Sequence, residues 1–386
     1  MGNPHLKDFP NNSIQGAAGK FADLFSNYLE SPWQFLGMGY LTCLGNLIAD
    51  KVSLESEISP QPRLYTIAVG ESADDRKSEG MIRQPINFFR QALSGHPFSF
   101  NVCMGVGSAE GLAKEFSGRG PNLLLAFDEL KAFVSKAQID GSILTPCVNT
   151  LFDSNTFHSS TKKKTISLDH AYLSLLGACT AETYRRMWTP TFLDIGFINR
   201  LFPITGKGRR RFAIPKIIPE SEKRPLENQV LSILKFVDSL PKQNGLYPMP
   251  IDSDAYELFT SWYLRQEQSL FAKRLDTYGH RLLILLAVNE GRDRITSDIT
   301  QKVIELLDWQ LEVRRELDPI DCETLIAKIE GVIKRTLASG PLSKRDLERK
   351  CNASRYGIYY WKRVLKDLIM DDRVRWNEEK DAYELC

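Results

Sequence analysis

The sequence predicts an α/β protein built around a parallel sheet, with a small helical unit and a hairpin at its C-terminus. Three apolar runs predict the sheet: LYTIAVG from Leu64, NLLLAF before Asp128, and AYLSLLGACT up to Thr180. Helical patterns separate these runs, and strands covered by helices on both faces are apolar along their whole length. Three helical patterns and two short strands after residue 320 predict the separate C-terminal unit.

The 386 residues are enough for more than one domain, because single cores seldom grow beyond about 250 residues. Shifts in hydrophobic period and a Pro-rich connector predict four parts. These are a helical lead-in, an α/β core, an all-helical lid and a winged-helix domain, at 1–60, 61–215, 216–320 and 321–386. The lid is predicted to contain amphipathic helices at 226–240, 252–275, 277–290 and 297–317. In the last domain, Ser343 and Ser354 are predicted to cap helices.

The composition is that of a folded protein, with 42% hydrophobic and 25% charged residues. A net charge of +2 is too small to attract nucleic acid by itself, so such a partner would need local basic patches. The seven cysteines include no C-x-x-C pair, and we expect buried thiols in a reducing compartment. No apolar run approaches the ~20 residues of a membrane span, so we expect a cytoplasmic protein without a membrane partner.

The segment GESADDRKS, residues 70–78, follows the first strand and precedes a helix, which is the setting of a phosphate-binding P-loop. In this interpretation Lys77 contacts the β- and γ-phosphates of a nucleotide, and Ser78 binds Mg²⁺. The pattern is irregular, because Arg76 replaces a glycine, Gly70 lies one position early, and an Asp-Asp pair brings negative charge toward the anion. The alternative is a polar turn between a strand and a helix.

The second strand ends in Asp128 and Glu129, an acidic pair typical of a Walker B motif. In this interpretation Asp128 orients magnesium, and Glu129 polarises the attacking water. The alternative is an acidic helix N-terminus favoured by the helix macrodipole. Two complementary half-sites in the right order, about 50 residues apart, favour the nucleotide site over either alternative.

Three further residues are candidates for catalysis. Thr180 ends the third strand, where a polar side chain would reach the γ-phosphate or the attacking water; a helix cap is the alternative. Arg200, preferred over the arginine pair 185–186, follows a turn glycine and would stabilise transition-state charge in a neighbouring subunit, with a structural ion pair as the alternative. Arg281 in the lid would reach the same nucleotide in cis, and a snorkelling surface arginine is its alternative.

Three segments are candidates for DNA contact. One is the basic run within HSSTKKKT, with Lys162, Lys163 and Lys164. A second is GKGRRRF, residues 206–212, and a solvated basic loop is the alternative for both runs. The third is a helix beginning at Ser354 that mixes cations with aromatics, as groove-reading helices do, and includes Arg355, Tyr359, Lys362 and Arg363. Its alternatives are core packing by the aromatics, or a protein-binding surface.

In their order along the chain, GESADDRKS, GSAEGLAKEF, NLLLAFDEL, LSLLGACTAE, GFINRLFPI and HRLLILLAV resemble the helicase-like ATPase domain of phage- and plasmid-encoded primase-helicases and related mobile-element proteins. The resemblance covers about residues 10–317. It implies a RecA- or AAA-like core that binds ATP and Mg²⁺, and homo-oligomeric rings, for example hexamers, on DNA. Family variants carry Arg before the P-loop lysine, as Arg76 precedes Lys77 here. By the same resemblance, Ser108 and Glu110 would support the site.

The residues and the resemblance together predict an ATP-dependent motor that acts on DNA. It would be a replicative helicase or a helicase loader of a mobile element, hydrolysing ATP at a subunit interface, with single-stranded DNA in a channel and duplex DNA at the winged helix. The alternative is a DNA-binding regulator that hydrolyses ATP weakly or not at all and acts through the winged helix. Phosphate release with and without single-stranded DNA separates the two hypotheses.

Overall fold

A computed structural model of the protein describes residues 8–71, 75–139, 141–160, 165–188, 196–267, 269, 271–317 and 325–386. The described residues belong to two compact units. The larger contains residues up to 187 and residues 196–317, and the smaller is built mainly of residues 325–386. The lead-in, core and lid, which the sequence analysis separates, therefore share one compact unit.

The described chain contains eleven strands, nine of them in the larger unit. They are β1 (Val52–Leu54), β2 (Tyr65–Gly70), β3 (Val102–Met104), β4 (Asn122–Phe127), β5 (Phe157–Ser160), β6 (Thr165–Leu168), β7 (Tyr172–Thr180), β8 (Phe202–Thr205), β9 (Tyr247–Met249), β10 (Val374–Asn377) and β11 (Ala382–Leu385).

Five of these strands form one parallel sheet in the order β3-β4-β7-β2-β8. The predicted fold class is confirmed: the protein is α/β with a parallel sheet, consistent with a RecA/AAA-like core. The chain leaves β2 on one side toward β3 and returns on the other side as β8. In open α/β sheets, ligands bind outside the carboxyl ends of strands at such a reversal.

Fifteen described helices accompany the strands. In the larger unit they are α1 (Gly16–Tyr28), α2 (Trp33–Leu47), α3 (Gln84–Ala92), α4 (Ala109–Arg119), α5 (Leu130–Ala137), α6 (Leu144–Asp153), α7 (Ala181–Arg186), α8 (Glu220–Ser239), α9 (Ser253–Leu264), α10 (Leu275–Asn289) and α11 (Ser297–Glu316). In the smaller unit they are α12 (Leu325–Leu337), α13 (Lys344–Lys350), α14 (Ala353–Tyr356) and α15 (Ile358–Met370).

Two sheet strands and one helix end differ from the sequence-based expectation. The strands β3 and β8 are not predicted, because they have only three and four residues and each pairs with a single neighbour at an edge of the sheet. The predicted helix at 252–275 ends at Leu264. The next helix, α10, begins only after Arg274, whose left-handed backbone (φ 62°) interrupts any continuous helix.

Helix α2 is part of the sheet's core and not of a separate lead-in. All its residues from Phe35 to Leu47 are buried, and it packs against β2, β4 and β7. Glycine makes this close packing feasible, because a Cβ on Gly39 would lie 2.4 Å from the carbonyl oxygen of Met81. The backbone that follows the predicted P-loop therefore rests directly on α2.

The smaller unit has the predicted order of helices followed by a hairpin. Strands β10 and β11 pair antiparallel, and Ser343 caps α13 by accepting a hydrogen bond from the Asp346 amide at 3.2 Å. The predicted cap at Ser354 is absent: Ser354 lies inside the four-residue α14, and Gly357 (φ 85°) separates that helix from α15. Trp361 is fully buried at the centre of the unit's core.

Two further expectations concern the burial of the cysteines and a membrane-spanning helix. Cysteines 43, 103, 147, 179 and 351 are free and buried, as predicted, whereas Cys386 is exposed. Within the described part of the chain, no helix combines the length and the apolar character that crossing a membrane requires.

Replacing Trp361 with alanine should open the smaller unit, because it removes the largest fully buried side chain and leaves a cavity that costs about 3–5 kcal/mol. Hydrogen exchange of the α15 amides, measured on the full chain, should speed up accordingly. Tyr359→Ala in the same helix is the matched control, since this side chain is 72% exposed and should cost less than about 0.5 kcal/mol. Equal exchange in the two variants contradicts the assigned core.

Candidate nucleotide site

The predicted P-loop lies between β2 and the next helix, and its residues 72–74 are outside the described part of the chain. Strand β2 ends at Gly70, and the following helix begins at Lys77 and runs through one π-helical turn, Glu79–Arg83, into α3. The Lys77 ammonium donates a hydrogen bond to the carbonyl oxygen of Glu71, at the start of the loop. The Lys77 side chain thus connects the end of the loop to its first residue. Such π-helical turns occur frequently at functional sites.

Arg76 takes the backbone conformation that glycine favours at this position. Its φ of 46° is left-handed, which costs a residue with a Cβ roughly 1–2 kcal/mol. Its guanidinium offsets part of this cost by pairing with Glu30, with Nη2 at 3.1 Å and Nε at 3.4 Å from the same carboxylate oxygen. An arginine is therefore accommodated before Lys77 because a tertiary partner holds its side chain.

Glu30 is a buried carboxylate with three partners. Its second oxygen accepts hydrogen bonds from the backbone amides of Arg211 at 2.7 Å and Phe212 at 3.0 Å. The Phe212 amide contributes most to lowering the pKa of the Glu30 carboxyl, and the Arg211 amide and the Arg76 side chain lower it further. The resulting pKa is about 2. The group is therefore ionised throughout the ordinary pH range.

A second buried carboxylate, Asp75, belongs to the loop itself and has 4% of its surface exposed. It accepts hydrogen bonds from the Glu71 amide at 2.5 Å and from the Gly208 amide at 2.9 Å. Gly70 leaves room for it, because a Cβ there would lie 2.5 Å from the Asp75 carboxylate. Asp75 thus braces the loop through these two amides, and the expectation that it brings negative charge toward an anion stays a prediction. Asp74 lies outside the described residues.

The predicted Walker B residues lie beside the loop. Asp128 and Glu129 follow β4 and are exposed, and the Ser78 hydroxyl donates to the Asp128 carbonyl oxygen at 3.2 Å. Burial raises the pKa of the Cys179 thiol, nearby Glu129 raises it further, and Lys77 lowers it. The ends of β2, β4 and β7 therefore bring Lys77, Ser78, Asp128 and Glu129 to one place.

The donor groups at this place suit Mg²⁺, which prefers oxygen ligands and is usually held by one or two protein groups plus phosphates. The Ser78 hydroxyl and the Asp128 carboxylate would hold it, and it would neutralise phosphate charge there. In the structure the Asp128 carboxylate pairs with Arg83 at 3.2 Å, so a metal would compete with this arginine. The described residues include no group of three His, Cys, Asp or Glu side chains that could hold a metal by themselves.

A cavity of about 560 Å³ opens beside the loop. Its walls are residues 29–31 and 76–79, Arg83 and Pro215, so three cations face it. The Ser31 hydroxyl, in the same wall, is buried and has no hydrogen-bond partner among the described residues. The carboxylates of Glu30 and Glu79 lie in the same wall, so the cations exceed the carboxylates by one. The volume and the available hydroxyl suit a small polar molecule.

Thr180 lies next to the loop, because it pairs with Gly70 in the register of β2 and β7. Its hydroxyl accepts a hydrogen bond from the Thr183 amide at 3.0 Å and donates one to the Thr183 hydroxyl at 2.8 Å. The helix cap considered as the alternative is therefore present, and contact with a γ-phosphate stays a prediction.

Arg281 is not at the nucleotide site of its own chain. It is buried at the amino end of the sheet, where it donates to the carbonyl oxygens of Arg63, at 2.8 Å, and Phe152 and stacks 3.9 Å from the Phe152 ring centroid. The six residues of β2, at about 3.3 Å each, separate this edge from Gly70. This placement corrects both the expected contact in cis and the surface alternative.

Arg200 lies at the same amino edge, just before β8. It forms the ion pair considered as its alternative, with Nη2 at 2.7 Å from Asp153, and donates to the Gly196 carbonyl oxygen at 3.0 Å. It therefore cannot reach the P-loop of its own chain. Its predicted role toward a neighbouring subunit stays a prediction.

The structure describes two of the three candidate DNA segments. Lys162, Lys163 and Lys164 lie outside the described residues, although β5 and β6 on either side of them pair antiparallel. In α15 the side chains of Tyr359, Lys362 and Arg363 are exposed, whereas Trp361 packs the core. The side chain of Arg355 is outside the described part.

Three site residues are missed by sequence reasoning: Glu30, Asp75 as a brace, and Arg83. Their partners lie 46 to 182 positions away for Glu30, 133 positions away for the Asp75–Gly208 contact and 45 positions away for Arg83. No local pattern encodes contacts of this kind. Ser108 caps α4 by accepting from the Gly111 amide at 3.1 Å, and Glu110 lies in the first turn of that helix.

Comparison with models of known protein families finds no match, and no curated protein sequence is significantly similar. Among solved structures, the chain is similar to a full-length MCM homolog from Methanopyrus kandleri, with a TM-score of 0.39 and 13% identity. The match covers 80% of this chain and 63% of that protein, so the chain spans less than two thirds of its length. With a TM-score below 0.5, this likeness does not bear on the function of the chain.

The left-handed backbone of Arg76 makes a testable prediction for stability. Both Arg76→Gly and Arg76→Ala remove the Glu30 contact, but only glycine removes the backbone strain. In urea denaturation the glycine variant should therefore be more stable than the alanine variant by about 1 kcal/mol. An alanine variant as stable as the glycine variant would show that position 76 is not left-handed in solution.

Proposed function

We propose that the protein is a Mg²⁺-dependent ATPase that acts on DNA as part of a homo-oligomer. The observation that carries the proposal is the meeting of Lys77 and Ser78 with Asp128 and Glu129 at one edge of the parallel sheet. The Ser78–Asp128 hydrogen bond and the register that sets the ends of β2, β4 and β7 side by side support it. The resemblance of the ordered motifs suggests a mobile-element helicase or helicase loader.

Each group has a task in this proposal. The Lys77 ammonium exchanges the Glu71 carbonyl for the β- and γ-phosphates, with which it makes stronger, charge-assisted hydrogen bonds. Arg76 and Arg83 face the same cavity and add positive charge near the phosphates. Glu129 makes no cap hydrogen bond with α5, so its carboxylate is available to orient water and accept its proton.

The position of Arg200 supports hydrolysis between subunits. Because it lies at the sheet edge opposite its own P-loop, it can stabilise transition-state charge only at the nucleotide of another copy. A head-to-tail contact of this kind closes into a ring when the rotation permits, and a hexamer is one such ring. The side chain would have to exchange Asp153, which is 38% exposed, for phosphate oxygens.

The exposed face of α15 supports DNA binding by the smaller unit, which we propose is a winged helix. Lys362, Arg363 and Lys366 share this face with Tyr359, and none of the three cations forms an ion pair with a described residue. Duplex DNA would meet this face, and single-stranded DNA would meet Lys162–Lys164 in a channel of the ring.

A second candidate function has one observation in its favour. Arg83 pairs with the Asp128 carboxylate that Mg²⁺ would need, which is the arrangement expected of a DNA-binding regulator with weak or absent hydrolysis. The pair contributes little free energy, because both side chains are about half exposed (57% and 44%), and Mg²⁺ can displace it.

Two substitutions at the candidate nucleotide site should separate ATP binding from ATP hydrolysis. Lys77→Ala should weaken ATP binding by about 10- to 100-fold in calorimetry, because it removes charge-assisted hydrogen bonds to phosphate. Glu129→Gln should keep binding but lower steady-state phosphate release by about 10²- to 10⁴-fold, because an amide cannot take the proton. Lys136→Ala, an exposed lysine of α5, is the matched control. Full turnover in Glu129→Gln favours another base, and absent turnover in the wild type favours the regulator.

Substitutions on the exposed face of α15 test the binding of duplex DNA. Replacing Lys362 and Arg363 with alanine should weaken duplex binding regardless of sequence and lower the salt-dependence slope by about two units, one per lost phosphate contact. Fluorescence anisotropy of the full chain at several salt concentrations measures both quantities. The control, Lys344→Ala with Lys350→Ala, removes the same charge from α13. Equal salt-dependence slopes in the two double variants would contradict DNA binding by α15 and favour a protein-binding surface.

A further inference from the structure

The segment 206–212, which we call the basic strap, follows β8 and lies against the P-loop. Its backbone is held by the two buried carboxylates described above. Asp75 accepts the Gly208 amide at 2.9 Å, and Glu30 accepts the Arg211 and Phe212 amides at 2.7 and 3.0 Å. The Arg211 guanidinium adds hydrogen bonds to the carbonyl oxygens of Ser26 and Leu29.

The Arg211 side chain belongs to this attachment, whereas the other basic side chains of the strap do not. Lys207, Arg209 and Arg210 are exposed, so the strap presents a row of cations to solvent while its amides bind the rest of the larger unit. A row of exposed cations on an extended segment suits successive phosphates of a nucleic-acid backbone. The strap is therefore a surface for a polyanion and also a part of the P-loop's support.

The same two carboxylates hold the loop itself. Asp75 also accepts the Glu71 amide at 2.5 Å, and Glu30 also pairs with Arg76 at 3.1 Å. Residues 75 and 76 directly precede Lys77. A buried carboxylate that loses one amide partner must find another or remain under-bonded, which is unfavourable. Movement of the strap therefore changes the loop that positions Lys77.

We propose that the basic strap binds the phosphate backbone of single-stranded nucleic acid, and that Asp75 and Glu30 transmit this binding to the nucleotide affinity of the P-loop. The inference rests on the proposed nucleotide site. Coupling between two sites is reciprocal, so nucleotide must change the affinity for nucleic acid by the same factor. The strap thereby makes ATP binding dependent on nucleic acid.

The test is the ratio of the dissociation constants of a fluorescent ATP analogue without and with a saturating oligo-dT, measured on the full chain. The wild type should give a ratio that differs from one by at least about five-fold, in the usual range of coupling between sites. Lys207→Ala with Arg209→Ala should bring the ratio close to one. The control Lys20→Ala with Lys235→Ala removes two exposed lysines from helices and should keep the wild-type ratio.

Asp75→Asn and Glu30→Gln test the transmission, since each keeps the side-chain shape and removes the charge. Each should bring the ratio several-fold closer to one while anisotropy confirms that oligo-dT is saturating. If Asp75→Asn does not fold, Glu30→Gln decides the question. A wild-type ratio of one overturns the inference and leaves the nucleotide site intact, whereas no ATP binding by the wild type overturns both. An unchanged ratio in the strap variant, or a strong effect with double-stranded DNA only, also overturns it.

Discussion

The parallel pairing of β7 between β2 and β4 is the constraint on which the candidate site depends. It sets Gly70 opposite Thr180 and Phe127 opposite Gly177, so the loops after β2 and β4 emerge at the same edge on either side of β7. Side chains that follow neighbouring parallel strands must then converge. Lys77 and Glu129, 52 positions apart, both influence the Cys179 thiol for this reason.

An irregular P-loop is stable here because distant carboxylates replace what glycine would provide. A glycine at position 76 would adopt a left-handed backbone freely, whereas Arg76 does so with its guanidinium held by Glu30. Asp75, the residue before Arg76, accepts hydrogen bonds from two backbone amides and thereby stabilises the loop. The loop's shape is consequently tied to the strap, which a glycine-rich loop would not require.

The central strands and the four residues of the candidate site could be predicted from the sequence, since both leave local signals. Strands β2, β4 and β7 are apolar on both faces, and Lys77, Ser78, Asp128 and Glu129 follow two of them in order. The short edge strands β3 and β8 leave no such pattern. Arg281 was misplaced because its sequence neighbours are apolar, and its burial depends on the Phe152 ring and on carbonyl oxygens more than 100 positions away. Glu30 and Asp75 likewise act through distant amides.

The two edges of the sheet are held together by different chemistry. At the amino edge, buried Arg63, Arg281 and Arg314 donate to backbone carbonyls, among them Leu151 at 2.7 Å and Leu201 at 3.1 Å. A guanidinium holds several carbonyls in one fixed geometry, so this edge keeps α6, α10, α11 and the starts of β2 and β8 in place. At the carboxyl edge, Asp75 binds one amide from the P-loop and one from the strap. Glu30 binds two strap amides and the side chain of Arg76, which is half exposed at 52%. These bonds join one loop to another, whereas the arginines of the amino edge hold helices and the starts of strands, so the candidate nucleotide site lies at the edge that is supported by loops.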